Sequence, residues 1–227
     1  MKSTVLLFAF LWFAPLAARS QIVVFSFNGA AGSELTIAPD AQPTYATVSS
    51  MSRGTGLTAS SSAGTFSSSG WTTSSSPDAA DYYSFSIAPN DGGQLSLSTL
   101  TLDERRSSTG IRDWSIRSSL DNFTADLSHF AVPDDANTRT GQATSLGASF
   151  EGLLTGVEFR IYGYNSESSG SGTWRIDNVT LAGSYSFSAV PEPEEYALTV
   201  GAGLFAFAVL RKARWWERFR RRNVCGG

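Results

Sequence analysis

The middle of the chain alternates apolar and polar residues with a period of two, a pattern that fits a β-strand with one buried face. Tyr83, Phe85 and Ile87 form one such set, and Val157, Phe159 and Ile161 form another. In Leu95, Leu97, Leu100 and Leu102 the apolar phase slips by one at Ser98-Thr99. Trp174, Ile176, Val179 and Leu181 slip likewise at Asp177-Asn178. A slip of one residue would turn every later side chain to the wrong face, so each slip predicts a β-bulge. Further strands are predicted at 22–27, 114–117, 129–132 and 148–150, with turns at Pro89–Gly93 and Pro133–Asp135. About eight strands and no internal helix predict an all-β fold, a two-sheet jelly-roll-like β-sandwich.

Composition agrees with that reading. Charged residues make up only 16% of the 227, and Ser, Thr and Gly are plentiful. Once the two ends are set apart, there is room for one sandwich over 21–187. Between Thr58 and Ser76, 17 of 19 residues are Ser, Thr, Gly or Ala, the exceptions being Phe66 and Trp71. Such a segment resists helix and predicts a long loop or edge strands, with the two aromatics pinning it to the core.

Charge is divided unevenly. Ser20 to Glu195 holds 8 basic and 19 acidic residues, a net of -11, whereas Arg211 to Gly227 holds seven basic residues against Glu217. An acidic body does not suit nucleic acid, because neutralising phosphates needs Lys and Arg on that body. The only cysteine, Cys225, leaves no intrachain disulfide, and with one histidine, His129, Cys/His zinc sites are excluded.

The two ends read as targeting segments. Lys2, the apolar run Val5 to Leu16 and the small residues Ala17 and Ala18 have the layout of a signal peptide over 1–20. Ala18 and Ser20 occupy the -3 and -1 positions for cleavage between Ser20 and Gln21. At the other end, Pro191-Glu192-Pro193 precedes an uncharged run from Tyr196 to Leu210, then Trp215, Trp216 and an Arg-rich tail. Interfacial tryptophans and snorkelling arginines lengthen the effective span, which predicts a single transmembrane helix at about 196–216. Cationic residues after an apolar segment stay in the cytoplasm, so Arg218, Arg220, Arg221 and Arg222 would anchor the tail inside and everything before Pro191 would lie outside. The two prolines fix φ near -65° and bias the intervening Glu192 to extended backbone, the form in which peptidases bind substrates.

In order and spacing, 188–227 resembles the PEP-CTERM sorting signal, a Pro-Glu-Pro motif followed by a transmembrane helix and a short Arg-rich end. The resemblance implies processing near Pro191, Glu192 and Pro193 by exosortase, a membrane enzyme of Gram-negative bacteria that also make extracellular polysaccharide. It implies export through signal peptidase and the general secretion machinery, a transient stay in the inner membrane, and a final place at the cell surface or in the extracellular matrix. The stretches Arg105 to Phe123 and Phe159 to Leu181 are similar to the β-sandwich ectodomains of PEP-CTERM proteins, which in turn resemble jelly-roll carbohydrate-binding modules.

Catalytic chemistry is poorly represented. His129 stands next to Phe130 on a predicted strand, and no serine lies in a Gly-x-Ser-x-Gly elbow. Asp103-Glu104 are strand neighbours that point to opposite faces and cannot flank one glycosidic bond. Asp177-Asn178 and Asp134-Asp135 could lend oxygens to a structural calcium ion, although no calcium-loop spacing is present; no other metal or cofactor is expected. For glycan binding, Tyr162 and Tyr164 fall on the face opposite Phe159 and Ile161 and beside Arg160, as a sugar platform would require. Trp114 and Trp174 align with core positions. The sequence therefore predicts a non-enzymatic secreted or cell-surface protein, with binding of extracellular polysaccharide as the alternative role for its ectodomain.

Overall fold

A computed structural model of the chain describes residues 20–187 and Lys212. The chain divides after Phe187 into two units, and 20–187 belongs to the first. The signal peptide expected over 1–20 (Ser20 excepted), the Pro191–Pro193 motif, the helix expected at about 196–216 (Lys212 excepted) and the arginines of the tail lie outside the described residues. Among the described residues no helix is long and apolar enough to cross a membrane.

In chain order the strands are β1 (Ser20–Phe25), β2 (Thr36–Ile37), β3 (Ala46–Val48), β4 (Met51–Arg53), β5 (Thr58–Ala59), β6 (Phe66–Ser69), β7 (Tyr82–Pro89), β8 (Gly93–Arg106), β9 (Asp113–Ser118), β10 (Ser128–Ala131), β11 (Arg139–Ser145), β12 (Val157–Tyr164) and β13 (Trp174–Phe187). They form two antiparallel sheets. The first runs β11-β8-β13-β6-β5, with β1 also on β13; the second runs β10-β9-β12-β7-β4-β2, with β3 also on β7. The all-β sandwich expected from alternation is therefore present.

Both predicted bulges occur. On β8, Leu97 pairs with Gly183 and Thr99 with Ala182, so Ser98 is the extra residue. On β13, Asp177 pairs with Asp103 and Thr180 with Thr101, which leaves one unmatched residue at Asn178, held at φ 48°. That second bulge also divides the free edge of β13. β6 takes positions 174–176 and β1 takes positions 179–183, so β13 has partners along both edges.

The inward faces meet in one core. Phe25, Phe66, Leu95, Leu100, Leu102, Ile176 and Leu181 come from the first sheet, and Phe85, Ile87, Ile116, Phe159 and Ile161 from the second. Each fully buried side chain of this size contributes about 1.5–3 kcal/mol of burial. At one end Trp71, Tyr83, Trp114 and Trp174 pack with ring centroids 5.1–5.8 Å apart. Three of the four place their polar atom on a partner, as burial favours. Trp71 Nε1 donates to Ser68 O (2.9 Å), Tyr83 Oη to Trp174 O (2.9 Å) and Trp174 Nε1 to Glu104 Oε2 (2.8 Å).

Residues 148–150 form a short helical turn rather than the expected strand, and only Phe150 of the three is buried. Of the two alternatives for 58–76, a long loop or edge strands, the segment carries strands β5 and β6, and Phe66 and Trp71 pin it, both fully buried. Finally, β11 and the short strands β2 to β4 were not foreseen.

Candidate functional site

On the second sheet, strand alternation turns Tyr82, Ser84, Arg117, Arg160 and Tyr162 away from the core. Register then fixes their neighbours. Arg160 lies between Ser84 of β7 and Arg117 of β9, and Tyr162 lies between Tyr82 and Ser115 in the next row. Two arginines directly opposite each other repel. The face answers with carboxylates and rings. Arg117 Nε donates to Asp126 (2.6 Å), and Arg160 Nε donates to Glu158 (2.8 Å). The Arg160 guanidinium sits between the rings of Phe123 (3.8 Å) and Tyr82 (4.3 Å), while that of Arg117 lies 5.3 Å from the centre of Tyr162. With Tyr82 and Tyr162 5.5 Å apart, the result is a ladder in the order Phe123, Arg160, Tyr82, Tyr162, Arg117.

Phe123 joins this ladder through unusual backbone. After the turn at Ser119–Asp121, Asn122 (φ 58°) and Phe123 (φ 60°) are both left-handed, and the Phe123 N–H donates to Ser118 O (2.9 Å). A bulky residue at positive φ is uncommon. The loop is fastened by the Asp121 carboxylate, which accepts from the Ala125 N–H (2.9 Å); that bond and those of Thr124 hold its pKa below the usual carboxylate value.

The structure places Arg160, Tyr162 and Tyr164 on the predicted face, but it corrects the platform. Tyr162 is 3% exposed, packed against the Tyr82 ring and the Arg117 guanidinium, and Tyr164, beside the His129 ring, is 5% exposed. What reaches solvent is Phe123, Tyr82 and the tips of Arg117 and Arg160, all partly exposed. Burial, with the carboxylates of Asp126 and Asp113 nearby, pushes the Tyr164 phenol up, so it stays a neutral hydroxyl at neutral pH.

His129 is less isolated than the sequence suggests. Its Nε2 lies 3.0 Å from Asp113 Oδ1, and Asp113 Oδ2 accepts from Asn165 (2.8 Å). Ser115 is its cross-strand partner, so serine, histidine and aspartate share one corner of the sheet. They do not form a nucleophile and base: Ser115 is fully buried and makes no hydrogen bond to His129.

The oxygens considered for calcium have other partners. Asp134 faces Arg106 (3.0 Å) and Arg112 (3.3 Å), and Asp135 faces Arg139 (2.6 Å). Asp177 accepts from the Asn178 N–H (2.7 Å). Among the described residues no group of three or more carboxylate, histidine or cysteine ligands converges on one point. As expected, Asp103 and Glu104 face opposite ways, with Glu104 2% exposed.

The fold and this face together define a two-sheet antiparallel sandwich with an arginine-aromatic outer surface. No protein-family model matches the chain, and no curated protein matches it in sequence. Among solved structures it is similar to a family 29 carbohydrate-binding module at 15% identity and TM-score 0.37, over 73% of this chain and 89% of that one. Two point mutants described as probes of ligand recognition by family 29 modules align at 14% identity, with TM-scores of 0.37 and 0.36, over 73% and 72% of this chain and 92% and 91% of theirs. At such values the backbones differ too much for a site to be transferred residue by residue.

Proposed function

We propose that this chain is a non-enzymatic, exported surface protein whose sandwich holds carbohydrate on the outer face of the second sheet. The ladder of Phe123, Arg160, Tyr82, Tyr162 and Arg117 carries this reading. Sugars offer apolar C–H faces and a rim of hydroxyls; Phe123 and Tyr82 supply the matching rings, and the spare N–H groups of Arg117 and Arg160 supply donors. The buried Tyr162 is a support beneath the contact surface. The left-handed Phe123 adds to the case: holding it there costs about 1–2 kcal/mol, and strain of this kind collects at functional sites.

The test is retention on immobilised neutral and acidic polysaccharides. Wild type is expected to bind, and Phe123→Ala and Tyr82→Ala to weaken binding at least tenfold, about 1.4 kcal/mol. Retention unchanged in both variants, or none by wild type on any polysaccharide, would sink the reading.

Export and sorting are proposed on separate grounds, namely the order of apolar run, Pro191-Glu192-Pro193 and Arg218 to Arg222. An exosortase substrate would mature to a form that starts at Gln21 and ends near Pro191, outside the inner membrane of a Gram-negative host. Intact mass of the native protein, compared with Pro191→Ala/Pro193→Ala, decides the matter. Wild type that keeps Tyr196 to Gly227 in the membrane has an ordinary anchor instead.

A further inference from the structure

On the outer face of the first sheet, near the second bulge, β8 and β13 set like charge against like. Arg105 pairs across strands with Arg175, and Asp103 with Asp177. Charges so placed repel. None of the four makes an ion pair within 4 Å among the described residues, although opposite charges sit only two positions along each strand. Their hydrogen bonds go elsewhere. Arg105 Nε donates to Ala136 O (2.7 Å) and Arg175 to Ser62 Oγ (3.0 Å), while Asp103 accepts from Gly141 N (2.7 Å) and Asn178 Nδ2 (2.9 Å).

All four charges line one cleft of about 200 Å³, rimmed by the hydroxyls of Ser62, Thr65 and Thr138. Burial and the facing Asp103 raise the Asp177 pKa, and burial and the facing Arg105 lower that of Arg175. Asp177 and Arg175 thus each carry a charge that burial and the like charge across the ladder disfavour. A ligand that brings an anion to the arginines and a cation to the aspartates relieves both at once.

We propose that this cleft binds a zwitterionic sugar unit, an amino-sugar acid whose ammonium lies between Asp103 and Asp177 and whose carboxylate lies between Arg105 and Arg175. The two charge pairs stand two residues apart along the strands, about 6.6–6.8 Å, a spacing that one pyranose ring can bridge. The hydroxyl rim favours a ring bearing hydroxyls over a bare methylene spacer. This site is distinct from the arginine-aromatic face and does not rest on it.

Titration calorimetry on the full chain at low salt tests the proposal with four probes: glucosaminuronic acid, glucuronic acid, glucosamine and ε-aminocaproate. Glucosaminuronic acid is expected to bind at least tenfold tighter than the other three. Asp177→Asn and Arg175→Gln should each abolish that preference, while Asp91→Asn, exposed in the turn before β8, leaves it intact. Equal affinity for glucuronic acid would overturn the zwitterion, tighter binding of ε-aminocaproate would overturn the sugar in favour of a lysine-like group, and no binding by wild type would overturn the site. Because the wild-type probe series stands alone, a variant that misfolds does not rescue the idea.

Discussion

Glu104 and Arg106 leave the inner face of β8 at the same end of the sandwich, where both charges are buried. Arg106 is fully buried, and its guanidinium serves Asp134 (3.0 Å), Glu167 (2.9 Å) and the carbonyls of Ser108 and Gly110, thereby fastening three loops. Glu104 is held by Trp174 Nε1 and Arg139 (3.0 Å). Burial still raises the Glu104 pKa, against the pull of Trp174 and Arg139. Arg139→Ala leaves that carboxylate unpaired and should cost about 3–5 kcal/mol at neutral pH in urea unfolding. Its pH dependence follows from linkage. A carboxyl with a raised folded pKa binds more protons folded than unfolded, so its penalty grows as pH rises through that pKa and fades below it. Loss of Arg139 raises the pKa further, and the gap between variant and wild type should therefore narrow as pH falls from neutral into the acid range. A gap that widens on acidification would contradict this account.

At the scale of elements, apolar phase was informative and its absence was not. β7, β8, β12 and β13 bury every second residue over long stretches, so alternation located them, and the slips at Ser98 and Asn178 located the bulges. β6 reads Phe-Ser-Ser-Ser and buries Ser67 and Ser68, and β11 buries only Thr144. Strands built from small polar residues carry no hydrophobic period, and pairing alone defines them. The site divides the same way. Tyr162 and Arg160 were placed on the right face by parity, but the ring over Arg160 comes from a loop doubling back through two left-handed residues, Asn122 and Phe123, which periodicity does not encode. The Asn178 bulge offers a direct check. Because its φ of 48° suits Gly or Asn, Asn178→Val should destabilise by about 1–2 kcal/mol more than Asn178→Gly in denaturant melts. Equal melts would mean that the bulge relocates.

For the molecule as a whole, one core joins both sheets, and the tryptophans of the described residues lie inside it at mutual contact. A fragment of residues 20–187 should accordingly unfold as one unit, with tryptophan fluorescence and far-ultraviolet circular dichroism giving the same urea midpoint. Refolding should take milliseconds to seconds, since most strand pairings are non-local, as with β1 on β13, the first and last strands of the described residues. Two separate midpoints would show that the sheets unfold independently. The placing of β13 has a mechanical consequence. Whatever is joined to the chain beyond Phe187 pulls on this strand, which is bonded to β8 along one edge and to β6 and β1 along the other. Tension along its axis cannot peel it off one bond at a time. It must shear both ladders together, so a load applied from beyond Phe187 is spread over two rows of hydrogen bonds at once.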